Sequence, residues 1–181
     1  ADAVEKEIRA MTENIVLVGM PGCGKSTIGV VLAKVLGYEF TDSDLLIQKK
    51  EGRLLREIIA EEGEEAFIRI ENEVNAGIET DKHVIATGGS VIYGEEAMNH
   101  FREIGTVVYL KLSYPTICSR LGNIRRRGVV LKDGQTLKDL YDERIPLYEK
   151  YADVIVDAEG YDIEGLMDEV VHELQKITEF E

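Results

Sequence analysis

The sequence lacks the features that mark membrane-anchored, secreted or zinc-binding proteins. No apolar run approaches the roughly 20 residues that a membrane-spanning helix needs, and the first residues are too polar for a signal peptide. The two cysteines, Cys23 and Cys118, form no disulfide or zinc pattern, and the three histidines have no ligand spacing. We therefore expect a cytoplasmic protein that has no membrane partner.

Basic residues are also scarce. The chain has 21 lysines and arginines against 35 acidic residues, which gives a net charge of −14. Such a surface repels nucleic acid, so a small anionic ligand would need a local basic pocket. No repeat, low-complexity segment or Pro/Gly-rich linker divides the 181 residues, so we expect one domain, residues 1–181. We expect a monomer, although no sequence feature specifies the oligomeric state.

Apolar runs alternate with amphipathic helical patterns along the chain. Phe67, Ile70 and Val74 form one stripe at helical spacing, and Leu166, Val170 and Leu174 another. This alternation predicts an α/β fold with three layers, in which helices cover both faces of a five-stranded parallel sheet. The predicted strands are 14–19, 38–42, 83–87, 105–111 and 153–156, inside a core of about 14–177.

Two segments interrupt the alternation. Residues 43–81 hold two or three helices between two strands, which indicates a helical substrate-binding insert. Residues 122–135 have no clear period and carry three arginines and three glycines, which is typical of a mobile lid loop, although a solvated charge run has the same composition.

The most specific motif is G-M-P-G-C-G-K-S-T at residues 19–27, a complete phosphate-binding P-loop. It lies between a buried strand and a helix, where backbone N–H groups at a helix N-terminus can surround a phosphate. We expect Lys25 to reach the β- and γ-phosphates of a nucleoside triphosphate and Ser26 to offer its hydroxyl to Mg²⁺. The predicted nucleotide-binding residues of the loop are Gly22, Cys23, Gly24, Lys25, Ser26 and Thr27.

Acidic and glycine-rich segments follow the second and third predicted strands. Of Asp42 and Asp44, one can hold a metal through water and the other can accept the proton of a substrate hydroxyl. Capping of a helix by Ser43 or Asp44 is the structural alternative. Residues 87–90, T-G-G-S, can bring backbone N–H groups to an anion or form a plain tight turn.

Farther along, Arg144 lies in a helical pattern after the predicted lid. It is either a surface residue or a clamp for a carboxylate, whose two oxygens a guanidinium can bind together.

Three classes of function are compatible with these motifs. The first is a small-molecule kinase that transfers a phosphoryl group from MgATP to a hydroxyl. The second is a nucleoside monophosphate kinase, which needs several arginines for the acceptor phosphate, whereas residues 43–81 offer only Arg53, Arg56 and Arg69. The third is a GTPase-type switch or a non-catalytic nucleotide-binding module, but the guanine-binding N-K-x-D motif is absent. We favour the kinase.

Taken together, the motifs resemble those of the shikimate kinase family, whose members have an adenylate-kinase-like fold. That family has, in order, a P-loop, D-x-D, F-R-x-x-E, T-G-G-G, an R-P-L-L lid and R-x-P-L-Y. The corresponding segments here are 19–27, 42–44, 67–71 (F-I-R-I-E), 87–90 (T-G-G-S), 127–130 (R-G-V-V) and 144–148 (R-I-P-L-Y). The resemblance implies that ATP and Mg²⁺ are used to phosphorylate a hydroxyl of shikimate, a step of aromatic amino-acid biosynthesis.

The resemblance also implies roles for single residues. Asp42 would hold Mg²⁺ through water, and Asp44 would bind the substrate hydroxyls and act as the base. Arg127 would be the lid arginine that closes on the phosphoryl group, and Arg120 would pack on adenine. The substrate carboxylate would be bound by Gly88, Gly89, Arg144 and, as a further candidate, Arg69.

Three departures from the family pattern lie on the substrate and lid side. The family's substrate arginine falls on Ile68, the third glycine of the turn is Ser90, and the lid reads G-V-V after Arg127. Arg69 is one residue along the helix, which is about 100° of rotation from the vacated direction. An alternative acceptor, such as homoserine, gluconate or another small hydroxy acid, is therefore compatible with the sequence.

Overall fold

The protein is described by a computed structural model that covers residue 3 and residues 14–121 and 132–179. Five strands form one sheet, and every neighbouring pair in it is parallel. The strands are β1 (Ile15–Val18), β2 (Glu39–Asp42), β3 (His83–Ala86), β4 (Thr106–Lys111) and β5 (Val154–Asp157). Their spatial order is β2-β3-β1-β4-β5, so β1 is the central strand.

Helices cover both faces of this sheet. Within the described ranges there are eight α-helices and one short 3₁₀-helix, Val91–Tyr93. The α-helices are α1 (Lys25–Leu36), α2 (Ser43–Glu51), α3 (Leu55–Glu62), α4 (Glu64–Ala76), α5 (Glu95–Ile104), α6 (Tyr114–Arg120), α7 (Leu137–Tyr151) and α8 (Ile163–Glu179). In the same ranges, no helix combines the length and apolar character needed to cross a bilayer.

The sequence of the central strand β1 is consistent with its position inside a parallel sheet. All four residues of β1, I-V-L-V, are buried, which is typical of a parallel strand that has helices on both faces. It pairs with β3 through Ile15–Val84 and with β4 through Ile15–Thr106. The residues that follow β1, β2 and β3 consequently leave the sheet at the same edge, where ligands of open α/β sheets bind.

Helices α2, α3 and α4 occupy most of the segment 43–81 and have a small core of their own. Ile47, Ile58 and Phe67 are buried together, apart from the main core around the sheet. Ile68 is half-buried and packs against this second cluster. The prediction of two or three helices between β2 and β3 is therefore confirmed with three.

The other predictions of secondary structure agree with the structure to within one or two residues at each strand end. The predicted parallel five-stranded α/β fold is confirmed, and the stripe that includes Leu166, Val170 and Leu174 faces the core on α8. Of the predicted lid, residues 122–131 lie outside the described residues. The described remainder leads into α7, which begins with a capping box between Thr136 and Asp139.

Candidate active site

The P-loop joins β1 to the N-terminus of α1. Gly22 and Gly24 have φ angles of 80° and 98°, which glycine adopts without steric cost. Among the described residues no side chain caps α1, so its first backbone N–H groups are available to an anion. Lys25 is buried and bends back over the loop, where Nζ donates hydrogen bonds to the carbonyl oxygens of Gly19 at 2.8 Å and Met20 at 3.0 Å.

The remaining P-loop residues fall into two groups. Ser26 and Thr27 are exposed at the start of α1 and, with Gly22 and Gly24, line the cavity described below. Cys23 is buried under the loop, with Sγ 3.6 Å from Lys25 Nζ. The Cys23 side chain therefore packs against the loop and is not among the described cavity walls.

The Asp42 carboxylate lies beside the P-loop at the end of β2. Asp42 caps α2, because its Oδ1 accepts hydrogen bonds from the backbone N–H groups of Asp44 at 3.0 Å and Leu45 at 3.4 Å. Its second oxygen, Oδ2, lies 3.5 Å from Ser26 Oγ. The alternative in which Ser43 or Asp44 caps the helix is therefore wrong. One carboxylate performs the capping and still turns an oxygen toward the P-loop hydroxyl.

A cavity of about 290 Å³ extends from the P-loop to the turn after β3. The P-loop forms one end, and buried polar groups of α2, α4 and α7 form the other. Its walls are built by Pro21, Gly22, Gly24, Lys25, Ser26, Thr27, Asp44, Leu55, Phe67, Glu71, Thr87, Gly88, Gly89, Ser90 and Arg144. The phosphate-binding loop and these buried polar groups thus share one space.

Two carboxyl groups meet at Gly88. A Cβ atom at this position would lie 2.6 Å from Asp44 Oδ1 and 2.9 Å from Glu71 Oε2, so only glycine fits without a shift. Neither of these two oxygens has a hydrogen-bond partner among the described residues, and both are buried. The other oxygen of Glu71, Oε1, accepts a hydrogen bond from Ser90 Oγ at 2.6 Å. Buried oxygens without partners are unfavourable unless a ligand or water binds them.

Burial raises the pKa values of these two carboxyl groups by different amounts. Burial, and secondarily the charge of Asp42, raises the pKa of Asp44 to about 6, although Lys25 lowers it. Burial raises the pKa of Glu71 further, to about 8, against the opposing effect of the Ser90 hydrogen bond. At pH 7 Asp44 is therefore largely ionised and can accept a proton, whereas Glu71 is largely protonated and can donate a hydrogen bond.

Arg144 supplies a cation to the same cavity. It is 1% exposed, and its guanidinium carbon lies 5.5 Å from the centre of the Tyr93 ring. A Cβ at Gly89 would lie 2.8 Å from Arg144 Nη1, so the turn and the guanidinium are in close contact. Tyr148, one turn farther along α7, donates a hydrogen bond to the Gly89 carbonyl oxygen at 2.5 Å. Of the two interpretations of Arg144, the surface residue is thereby excluded.

The structure brings most of the predicted site residues together. Asp44, Gly88, Gly89 and Arg144 share the cavity with the P-loop. Arg120, at the end of α6, is not among the described cavity walls but contacts the P-loop, where its Nη1 donates to the Gly22 carbonyl oxygen at 3.3 Å.

Two predicted arginines are not among these groups. Arg69 is exposed on α4, and the described cavity walls do not include it. Arg127 lies outside the described residues.

Glu71 and Ser90 were not predicted as site residues, although both belong to quoted motifs. The signal for Glu71 lies in α4, whose buried residues are Phe67, Glu71 and Asn75, each four positions after the one before. A carboxyl group on the buried stripe of a helix is rare without a function or a partner. The Ser90–Glu71 hydrogen bond joins two distant segments and has no signal in the sequence.

Fold and site together define a P-loop phosphotransferase in which the phosphate-binding loop and the acceptor side share one cavity. A family model described as shikimate kinase matches residues 21–175 of the chain. The chain belongs to the shikimate kinase family, which comprises phosphotransferases with an alcohol acceptor. The resemblance stated from the sequence motifs is thereby confirmed.

Individual relatives agree with this assignment over nearly the whole chain. The shikimate kinase of Thermodesulfovibrio yellowstonii is 36% identical over 169 residues, which cover 92% of this chain and 97% of the relative. The crystal structure of shikimate kinase from Aquifex aeolicus has a TM-score of 0.77 at 31% identity and covers 91% of this chain and 97% of that one. Shikimate kinase from Acinetobacter baumannii in complex with shikimate has a TM-score of 0.78 at 28% identity, with 98% of both chains covered.

Proposed function

We propose that this protein transfers the γ-phosphoryl group of ATP to a hydroxyl group of shikimate. The observation that carries the proposal is the shared cavity, in which Lys25 of the P-loop, Asp44 and Arg144 face one space. Family membership and the similarity to a shikimate kinase in complex with shikimate support the choice of acceptor. The proposed acceptor has both chemical groups that the cavity addresses, hydroxyls for Asp44 and a carboxylate for Arg144.

The proposed reaction is an in-line displacement. A hydroxyl oxygen of shikimate forms a bond to the γ-phosphorus, and the bond between this phosphorus and the bridging oxygen breaks, so that its electron pair leaves with ADP. The hydroxyl proton passes to Asp44, which is largely ionised at pH 7 because its pKa is about 6. Lys25 and the N–H groups at the start of α1 stabilise the charge on the phosphates.

Ser26 and Asp42 fit the requirements of a magnesium ion. Mg²⁺ binds oxygen ligands and is usually held by one or two carboxylates together with substrate phosphates and water. The Ser26 hydroxyl and the outward oxygen of Asp42 are 3.5 Å apart and both face the P-loop side. When bound, Mg²⁺ would neutralise charge on the β- and γ-phosphates.

Arg144 and the turn after β3 are proposed to bind the acceptor. A guanidinium can form two hydrogen bonds to one carboxylate, and the Arg144 guanidinium lies against the Tyr93 ring and close to Gly89. Since α2, α3 and α4 supply Asp44, Leu55, Phe67 and Glu71 to the walls, we assign residues 43–81 to acceptor binding. The proposed kinase is a single domain, residues 1–181, that works as a monomer.

Roles of the remaining predicted residues stay proposals. Arg120 is proposed to pack on adenine, which is supported by its contact with the P-loop at Gly22 and by its absence from the described cavity walls. Arg127 is proposed to close on the phosphoryl group as part of the lid. A nucleoside monophosphate as acceptor is disfavoured, because Arg144 is the one arginine among the described cavity walls.

The test is a coupled assay of ADP release with MgATP, with shikimate, homoserine, gluconate and AMP as acceptors. We expect turnover with shikimate and formation of one shikimate phosphate, identified by mass spectrometry. Asp44→Asn, which keeps size and removes the base, should lose turnover while the melting temperature is retained. Absence of turnover with shikimate, together with turnover of another acceptor, would overturn the proposal.

A further inference from the structure

Ser90 is a residue that the family pattern does not have, since it stands where that pattern has a third glycine. The side chain is 6% exposed, and its hydroxyl donates a hydrogen bond of 2.6 Å to Glu71 Oε1. Its φ of −91° is open to any residue, so no backbone constraint selects or excludes serine here. The side chain therefore has to be explained by its contact.

A second departure lies one helical turn from the same carboxyl group. Ile68 occupies the position of the family's substrate arginine, and residues three apart on a helix are neighbours on its surface. An arginine at position 68 would place a cation beside Glu71, whereas Ile68 packs against Ile47, Ile58 and Phe67. In this chain α4 therefore gives Glu71 no positive charge from position 68.

The charged groups that do act on Glu71 come from other elements. Asp44 at the start of α2 raises the pKa of Glu71 and Arg144 of α7 lowers it, but burial is the largest influence and the net value is about 8. Lys25 of the P-loop lowers the pKa of Asp44. Near neutral pH, Glu71 is accordingly a neutral acid whose carbonyl oxygen accepts from Ser90.

We propose that Ser90 is a positioning residue that holds Glu71 as a hydrogen-bond donor to the acceptor substrate. With Oε1 fixed by the serine hydroxyl, Oε2 is left at the cavity beside Gly88, where Asp44 Oδ1 also lies. The two oxygens then bind neighbouring oxygens of one acceptor molecule. Asp44 accepts a hydrogen bond from the hydroxyl that reacts, and Glu71 donates a hydrogen bond to the neighbouring oxygen. This inference rests on the proposed function.

The experiment measures KM for shikimate and kcat from pH 6.5 to 9.5, a range that brackets the Glu71 pKa of about 8. Wild type is compared with Ser90→Ala and Glu71→Gln. In wild type, KM should rise above pH 8, because ionised Glu71 can no longer donate and repels an anionic acceptor. Glu71→Gln still donates but does not titrate, so its KM should not rise over this range.

Ser90→Ala should change KM more than kcat, which a purely structural role of Ser90 would not produce. Loss of one hydrogen bond to a buried carboxyl group should raise KM at pH 7 about fivefold to tenfold, with kcat changed less than about twofold. Because the Ser90 hydrogen bond lowers the pKa of Glu71, its removal should also move the alkaline rise in KM to higher pH. The control is Ser113→Ala, which removes the cap of α6 and should lower the melting temperature without changing KM for shikimate.

A second background tests the role of charge. In Ile68→Arg, the new cation should keep Glu71 ionised at lower pH, and adding Ser90→Ala should then change KM less than about twofold. Strictly additive effects would overturn the assignment of Glu71 as a neutral donor. If Ile68→Arg does not fold, the Ser90→Ala and Glu71→Gln profiles decide the question alone.

Two failures are distinguishable. Absence of shikimate turnover in wild type would overturn the proposed function and this inference with it. Turnover in wild type with an unchanged KM and pH profile in Ser90→Ala would overturn this inference alone.

Discussion

Gly88→Ala is the substitution for which the structure gives the most direct expectation. The added methyl group would lie 2.6 Å from Asp44 Oδ1 and 2.9 Å from Glu71 Oε2, whereas ordinary contacts begin at 3.4 Å. Both carboxyl groups must withdraw, Asp44 by nearly an ångström. Since both clashes are with the ends of side chains, the backbone can stay in place and the fold should survive.

The cost should appear in catalysis more than in stability. Overpacking of this kind destabilises a fold by about 1–3 kcal/mol, which leaves a domain of ordinary stability folded. Misplacement of a reacting group by about 1 Å can lower the rate by about 100-fold. We therefore expect kcat/KM for shikimate to fall about 100-fold in Gly88→Ala, since Asp44 is the group that is displaced.

The assay is steady-state kinetics with shikimate as the varied substrate, accompanied by the melting temperature and by calorimetric binding of a non-hydrolysable ATP analogue. Nucleotide affinity should not change, because the atoms nearest Gly88 belong to the acceptor side. A matched control is Gly77→Ala, where φ is −93° and the nearest atom would be 3.4 Å from the new Cβ. Wild-type kcat/KM in a folded Gly88→Ala variant would refute the reasoning.

Three further outcomes are expected. Lys25→Ala should abolish turnover in the ADP-release assay while circular dichroism stays native, because Nζ is held at the P-loop and not in the core; retained turnover would contradict the site. The kcat/KM of wild type should fall with decreasing pH below about 6, since protonated Asp44 cannot accept the hydroxyl proton, and a profile without this acid limb would count against Asp44 as the base. Glu71 binds its proton more tightly in the folded state, where its pKa is about 8 against an ordinary 4.5, so its contribution to stability is complete at low pH and is lost as pH rises through 8. Urea unfolding should show a smaller loss of stability between pH 6 and 9 in Glu71→Gln than in wild type, and equal slopes would refute the raised pKa.

Much of the fold and the nucleotide side could be predicted from the sequence because their signals are local. The P-loop is a contiguous motif. Because it directly follows the apolar run of β1, it had to lie at the carboxyl ends of the parallel strands. Asp42 and Asp44 could be assigned to the same edge because they follow a parallel strand. What could not be predicted is that Asp42 combines capping with a position beside Ser26, since this depends on the rotation of one side chain.

The acceptor side was harder to predict from the sequence because it is assembled from contacts between distant segments. Glu71 and Ser90 are 19 positions apart, and their hydrogen bond depends on how α4 packs beside the turn after β3. The sequence also left open whether Arg69 replaces the arginine missing at position 68. The structure leaves Arg69 exposed and outside the described cavity walls, whereas Arg144, already predicted as a site residue, lines the cavity.

Because of the strand order, most of the acceptor side is formed by one part of the chain that can be exchanged separately from the P-loop. From the central strand β1, the ends of β2 and β3 lie to one side with Asp44 and the turn at Gly88, whereas β4 leads to α6 and Arg120 on the other. Apart from Arg144, the described acceptor-side walls beyond the P-loop come from the continuous stretch 44–90. A chimera that receives this stretch from a relative would inherit that relative's acceptor while its own ATP site is preserved. Redesign toward new hydroxy acids can therefore begin with one contiguous exchange.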